Sequence, residues 1–390
     1  MSEIKVNSIK GVGASAAAIT VNNSDGTCTA NLSNRQGKNL VINGGFRIAQ
    51  RGQSSTVNGY TTVDRFYIYH ANTGVTCTNS QQALTSSDTP YTLGFRNFYR
   101  MALSGAGTAN ANAEIALYYF FEAQDIACSG WNFKSASSFI TLQFWIRCST
   151  NQTFYCYLQS KDGTEQSYAF SFTASGNNAW TKITKTIPGG SNVDINSDNG
   201  TGLTLSIAPF YGTDYTGNKT LDQWSAFSAS NRHSDMASTW LTAGASTFDL
   251  TGIQLEVGSV ATDFEHRSYG QELALCQRYY YQVTKQGDTG SVSNAPIALG
   301  DYDSGSNMQT IMHFPVQMRA NPSVVSSDTT NGFYIRREGA ADFFDNFTLA
   351  SSTTNCARIF NSSDVSGSAG ACGNILQETG DSNLAFNAEL

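Results

Sequence analysis

Metal or acid–base chemistry in this chain would have to be built from four histidines, His70, His233, His266 and His313, which stand far apart. None falls in H-E-x-x-H or H-x-x-x-H, the spacings that bring two imidazoles to one side of a helix. His266 lies in "FEHRSY" between Glu265 and Arg267, a setting that fits a structural role. The eight cysteines, Cys28, Cys77, Cys128, Cys148, Cys156, Cys276, Cys356 and Cys372, form no C-x-x-C pair and have no nearby histidine. A tetrahedral zinc ligand set is therefore missing. Most cysteines are expected reduced and buried, with a Cys356–Cys372 bridge left open.

Glycoside hydrolysis needs two carboxylates placed across a sugar. Glu114, Glu122 and Asp125 in "AEIALYYFFEAQD" could supply them, but they fit equally the polar positions and end of a strand. "GVGAS" at Gly11 lacks the third glycine of a dinucleotide fingerprint, and "VSGSAGACG" lacks the spacing of a G-x-S-x-G nucleophile elbow. "DYDSGSN" at Asp301 carries oxygen ligands but departs from the calcium-loop pattern, so it reads as a turn. No catalytic residue, metal or cofactor is expected. Sugar binding asks for less: flat rings against pyranose faces, with amides and carboxylates for the hydroxyls. The stretch "FYGTDYTGNKTLDQWSAFSASNRHSDMASTW" offers Tyr211, Tyr215, Trp224 and Trp240 among Asp, Asn and Ser. Exposed aromatics in a long loop suggest a binding surface; the competing reading is that both tryptophans anchor the loop to the core.

The elements that would position these residues are strands. At 390 residues and 40% hydrophobic content the chain can bury more than one core, while charged residues reach only 14%. A net charge of -7 without a Lys/Arg run leaves no basic footprint for nucleic acid. The opening "MSEIKVNSIKGVGASAAAITVNNSDG" has no apolar secretory core, and no apolar run approaches the ~20 residues of a membrane helix. "FITLQFWIRCS" alternates, with Ile140, Leu142, Phe144, Ile146 and Cys148 on one side and Thr141, Gln143, Trp145 and Arg147 on the other. "FYCYLQS", "YAFSFTA" and "LTLSIAPF" repeat this between turn signals, which predicts an antiparallel sandwich. In "STFDLTGIQLEVG" the apolar phase shifts by one residue, predicting a bulge near Thr251–Gly252.

One helix interrupts this pattern. Ser268 and Gln271 make a capping-box pair, Glu272 and Arg278 suit the two ends of the dipole, and Leu273, Cys276 and Tyr280 recur at helical spacing. A helix of about 15 residues follows, too short to stand alone, so its apolar side must pack on a neighbouring domain or chain. After it come "APIALGDYDSG", "MQTIMHFPVQM", "PSVVSS", "GFYIRRE" and "NFTLAS", a second β domain.

"NLVINGGFRIAQRG", "YTTVDRFYI" and "LTGIQLEVGSVATDFEHRSYGQELALCQRYYYQ" resemble the sandwich domain of bacteriophage virion fibre and receptor-binding proteins, and their outer strands resemble jelly-roll carbohydrate-binding modules. "HFPVQMRANPSVV" is similar to the strand that opens the C-terminal domain of such phage proteins. The resemblance implies four parts: a virion-attachment segment (1–38), a jelly-roll sandwich (39–267), a connector helix (268–285) and a C-terminal β domain (286–390). It implies a homotrimeric, non-enzymatic tail fibre that is made in the host cytoplasm, joins other virion proteins through residues 1–38 and binds host surface polysaccharide. A head fibre or capsid-decoration protein shares every one of these features; a polysaccharide depolymerase is the third reading. The connector residues Ser268, Gln271, Leu273, Cys276 and Tyr280 are assigned to architecture and assembly, plausibly near a threefold axis or, equally, as a cover over one end of the sandwich. Recognition is placed in 286–390, where Phe333, Tyr334, Phe343, Phe344 and Phe347 lie, with the aromatic loop 210–245 second.

Overall fold

The structure, a computed structural model, describes residues 8–9, 19–21, 28–30, 37–284, 295–337, 339–378 and 382–390. Most of the expected attachment segment, including "GVGAS", lies outside the described residues. Its described parts, Ser8–Ile9, Ile19–Val21 and Cys28–Ala30, pair antiparallel as a three-stranded sheet.

Two six-stranded sheets form the first sandwich. One runs in the order Trp224–Ala226, Gln166–Ser175, Asn151–Ser160, Thr201–Tyr211, Glu114–Glu122 and Phe66–Ala71. The other runs Thr181–Pro188, Phe139–Cys148, Thr247–Val257, Asn97–Leu103, Cys77–Ala83 and Ser54–Ser55. Ile140, Leu142, Phe144, Ile146 and Cys148 all point into the core between them, as alternation requires. The opposite face is also covered. Gln143 donates to Thr262 O at 2.6 Å, Thr141 to Gly258 O at 2.8 Å, and Arg147 pairs with Asp88 and Asp249 at 2.8 and 2.9 Å.

The bulge forms where the phase shift places it, between Thr251 and Gln254. Gly252 takes φ +64°, and a side chain there would meet the Phe95 ring at 2.7 Å. The freed backbone is used by the segment that opens the sandwich: Ile253 donates to Gly44 O at 2.9 Å and Leu40 to Leu255 O at 2.8 Å.

The connector helix spans Tyr269–Gln277, shorter than expected, and carries the full capping box between Ser268 and Gln271. Tyr280, in phase with the helix by sequence, instead begins the strand Tyr280–Thr284 and pairs with Asn387. Its apolar side faces its own chain: Leu273, Leu275 and Cys276 pack with Ile42, Ile48, Tyr279 and Leu390. Glu272 accepts from Asn43 N at 2.6 Å and pairs with Arg267 at 3.3 Å, so its carboxylate ties the helix to the sandwich. Of the five residues assigned to assembly, Leu273 and Cys276 pack within the chain and Tyr280 pairs with Asn387, while Ser268 and Gln271 cap the helix at exposed positions.

The C-terminal domain is a seven-stranded sheet packed on a three-stranded one around Met308, Phe333, Ile335, Phe344, Ile359, Ile375 and Phe386. "DYDSGSN" is the turn of its Ala295–Ser304 and Asn307–His313 hairpin. Cys356 and Cys372 are both unbonded. Their strands stand three places apart in the sheet, about 14 Å laterally, well beyond the ~7 Å Cα limit of a disulfide.

The chain end locks this domain to the first. Arg65 is fully buried at φ +75°, stacked 3.4 Å from the Tyr279 ring centroid, paired with Glu389 and donating to Phe120 O at 2.8 Å. Arg51 lies 3.6 Å over Tyr280, 3.2 Å from Glu389 and 3.7 Å from Asp64. Burial pushes the Asp64 carboxyl up to about 6 against the pull of Arg51. Beside them, Glu122 takes two hydrogen bonds from Arg278 at 2.6 and 3.1 Å and one from the Tyr279 hydroxyl at 2.8 Å.

Removing one partner of a buried ion pair strands the other charge, at about 3–5 kcal/mol. Glu389→Ala is expected to destabilise the protein by that order, measured by denaturant unfolding, and Arg65→Met with Glu389→Leu by clearly less. Equal losses would mean that the pair's charges are immaterial.

Candidate glycan-binding face

The outer face of the first sheet carries a row of rings set by strand register. Tyr67 pairs with Tyr118, Tyr118 with Ser206, Ser206 with Tyr157, and Tyr157 with Ala169. Alternation makes all of these point away from the core. Residues 212–238 fold back over half of the row. Tyr215, Leu221, Phe227 and Met236 pack on Ala116, Tyr157, Ala169, Ala208 and Tyr211, forming a small second core. Asp222 N donates to Ala169 O and Phe227 N to Glu165 O, each at 2.8 Å.

The aromatic residues singled out in the sequence belong mostly to this cover and its supports. Tyr211 is buried, its hydroxyl 2.5 Å from that of Tyr118 and 3.2 Å from Ser206 Oγ. Trp240 is buried as well, donating to Thr247 O at 3.0 Å. Trp224 packs against the main core and donates to Pro188 O at 2.7 Å. Tyr211 and Trp240 present no stacking face to a ligand, which corrects the expectation for these two; Trp224 is half-buried. Tyr215 stays half-buried, with the Arg232 guanidinium 4.5 Å over its ring.

The other half of the face is open. Tyr60, Tyr67, Tyr69, Tyr118 and Phe120 are each partly exposed. Tyr60 and Tyr67 meet edge-on at 5.3 Å, while Tyr118 and Phe120 stack at 6.1 Å, interplanar angle 14°. At one end Arg232 binds Glu114 at 2.9 Å, and Glu114 also accepts from the Tyr118 hydroxyl at 2.6 Å. Burial opposes the charge on Arg232, but Tyr211, Tyr118, Tyr157 and Glu114 hold its pKa well above the ordinary guanidinium range. At the other end the Tyr60 hydroxyl donates to Leu390 O at 3.1 Å. Thr204 lies in the same sheet face, between Phe120 and Gln159. It is 3% exposed, and its hydroxyl has no partner among the described residues. Rings backed by a few polar groups form a surface that takes a flat, hydroxylated ligand. Sequence inspection missed this strip because its residues come from three separate segments; the repeated Tyr at outward positions in "RFYIYH" and "ALYYFFE" was the available signal.

The remaining candidates are structural. Glu114 and Glu122 cap opposite ends of one strand, about 27 Å apart at 3.3–3.4 Å per residue, against the ~5–9.5 Å of a glycosidase pair. Asp125 is exposed beside Glu122. His266 Nε2 lies 2.9 Å from Leu93 O, its ring between Phe95 and Phe264 at 5.0 Å each. Of the C-terminal aromatics, Phe333, Tyr334, Phe344 and Phe347 are buried, leaving Phe343 with an exposed face. Among the described residues, no three His, Cys, Asp or Glu side chains gather as metal ligands, and no helix is long and apolar enough to cross a membrane.

No protein-family model and no curated protein matches this chain. Solved structures similar to it include the enzymatically active domain of bacteriophage CBA120 tailspike protein 4, at 9% identity and TM-score 0.29 over 56% of this chain and 21% of that one. A family 11 carbohydrate-binding module from a Clostridium thermocellum cellulase matches at 11% identity and TM-score 0.27, over 55% of this chain and 98% of the module. A xylan-binding domain from Paenibacillus barcinonensis matches at 9% identity and TM-score 0.27, over 58% and 97%. Likenesses this faint do not say what the chain binds; the sandwich stands on its own strand pairing.

The cover is seated by His233, whose ring stacks 4.4 Å from Tyr155 at 5°. Burial lowers its pKa to about 4, so below the ordinary value of 6.5 the unfolded chain takes up a proton that the fold refuses. Stability is whole above pH 6.5 and falls as pH drops toward 4, by up to about 3 kcal/mol. His233→Phe, which keeps the stack, is expected to flatten thermal stability between pH 4.5 and 7; parallel curves for the two proteins would refute it.

Proposed function

We propose that this chain is a non-catalytic glycan-binding protein that holds a polysaccharide on the open strip formed by Tyr60, Tyr67, Tyr69, Tyr118 and Phe120. The observation that carries this reading is the group of five partly exposed rings, Tyr60, Tyr67, Tyr69, Tyr118 and Phe120, side by side on the half of the sheet face that residues 212–238 leave uncovered. Pyranose faces can lie on such rings, with the Arg232–Glu114 pair at one end of the strip to meet hydroxyls. With Glu114 and Glu122 each held by an arginine and far apart, binding without cleavage is the simpler use of the face.

In the organism, we propose that the protein is a homotrimeric fibre or receptor-binding component of a phage particle, attached through residues 1–38 and bound to host surface polysaccharide. Support comes from the resemblance of "NLVINGGFRIAQRG" and the 251–282 stretch to virion fibre sandwiches. Weak single sites suffice there, because linked copies raise the effective concentration of each remaining site.

Titration of host surface polysaccharide against the whole protein tests the site. Tyr67→Ala and Phe120→Ala are each expected to weaken binding about five- to tenfold, a loss near 1–1.4 kcal/mol, while Phe343→Ala leaves it unchanged. Loss with Phe343→Ala alone would return recognition to the C-terminal domain. Release of oligosaccharides would overturn the non-catalytic reading.

A further inference from the structure

Tyr118 belongs to two surroundings at once. Its ring stands in the open strip, stacked with Phe120 at 6.1 Å and edge-on to Tyr67 at 6.4 Å. Its hydroxyl ends among buried polar groups, and their geometry fixes which group donates to which. Tyr118 donates to Glu114 Oε1 at 2.6 Å, which uses the one proton a phenol has. Tyr211, whose hydroxyl lies 2.5 Å from that of Tyr118, must therefore be the donor there, and Ser206 Oγ the donor to Tyr211 at 3.2 Å. Arg232 Nη1 completes the set, donating to Glu114 Oε1 at 2.9 Å and to the Tyr118 oxygen at 3.3 Å. Burial, with Tyr211, Tyr157 and Glu114 alongside, holds the Tyr118 hydroxyl well above its ordinary pKa, so it keeps the proton it donates.

One chain of hydrogen bonds, Ser206 to Tyr211 to Tyr118 to Glu114, thus reaches from buried residues to a ring of the open strip. Ser206 and Tyr211 are themselves buried, so neither can touch a polysaccharide. Phe120 has no polar tip and takes its place from Tyr118 and from edge-on contacts with Tyr67 at 6.1 Å and Tyr60 at 6.5 Å. Tyr118 is accordingly the ring that orients its neighbour. Tyr211 supports this corner twice, since the Arg232 guanidinium also lies 4.8 Å from its ring centroid.

We propose that Tyr211, with Ser206 behind it, is a positioning residue of the glycan strip: it fixes the Tyr118 ring through the hydroxyl and so raises affinity for polysaccharide without touching it. This role rests on the strip being the binding site. A partly exposed tyrosine left free would spread over several rotamers, and freezing one such side chain on binding weakens affinity about two- to tenfold. A charge-assisted hydrogen bond backed by two further hydroxyls removes that cost beforehand. By its position in the sequence Tyr211 reads as a stacking ring; its contribution is instead its hydroxyl.

A double-mutant cycle on the whole protein, titrated with host surface polysaccharide, tests the link. Tyr211→Phe and Tyr118→Phe each keep the ring and remove only the hydroxyl. Tyr118→Phe is expected to weaken binding about fivefold and Tyr211→Phe about threefold. In a chain that already carries Tyr118→Phe, Tyr211→Phe should cost less than about 1.5-fold, because the hydroxyl it acts through is gone. Thermal unfolding of the same variants separates a merely structural role, which would lower stability and leave the affinity of the folded protein unchanged. Undiminished affinity in Tyr211→Phe would overturn the proposal, and so would a loss that persists in full in the Tyr118→Phe chain. Tyr67→Ala and Phe120→Ala tell this failure from that of the strip itself. If they too leave binding unchanged, polysaccharide lies elsewhere and Tyr211 positions nothing; if they weaken it while Tyr211→Phe does not, the strip stands without Tyr211.

Discussion

Arg65 is a guanidinium with almost no access to water, and the relative placement of the two domains follows from satisfying it. Its carboxylate partner, Glu389, is the penultimate residue; its stacking partner, Tyr279, closes the connector; its backbone acceptor, Phe120 O, lies in the first sheet. Three distant parts of the chain must converge for the charge to be tolerated. The geometry is held further by Arg319, which binds Ala388 O at 2.7 Å and Glu389 O at 2.9 Å from one side and Asn199 O at 2.6 Å from the other. A buried ion pair is weak evidence of stability in itself, but it penalises any arrangement that leaves one partner alone. The domains are therefore joined in one specified way.

That joint also shapes the proposed site. The Tyr60 hydroxyl reaches Leu390 O, and Arg51 lies 5.5 Å over the same ring while bound to Glu389. One end of the aromatic strip is thus bounded by Leu390 and Arg51, the other by the Arg232–Glu114 pair and residues 212–238. The cover removes Tyr157 and Tyr211 from solvent and leaves Tyr67, Tyr69 and Phe120 open, so it decides which rings can meet a ligand.

Much of the local structure was legible without coordinates. Ser268 and Gln271 cap the helix because an N-cap hydroxyl and a residue three places on satisfy each other's backbone donors wherever they occur. The apolar phase shift at Thr251–Gly252 demanded a bulge, since without it Ile253 and Leu255 would have faced away from the core. The helix end was not legible: Leu273, Cys276 and Tyr280 keep helical phase, but Asn387 and Arg51 draw Tyr280 into a strand.

What the sequence by itself determined is which side of each strand faces the core, where the chain turns and where its one capped helix starts; these depend on neighbours within a few residues. The tertiary structure alone decided the fate of the second faces. Thr141 and Gln143 fall on the side of their strand away from the core, as Ser206 and Tyr157 do on theirs, yet segments from elsewhere bury all four. Between an exposed recognition loop and a core anchor the sequence left Trp224 and Trp240 open; the fold buries Trp240 and packs half-buried Trp224 on the core, while Tyr60, Tyr67, Tyr118 and Phe120 were gathered from three segments into one strip. Period-two alternation names a face but not what will lie on it, because covering it depends on chain dozens of residues away.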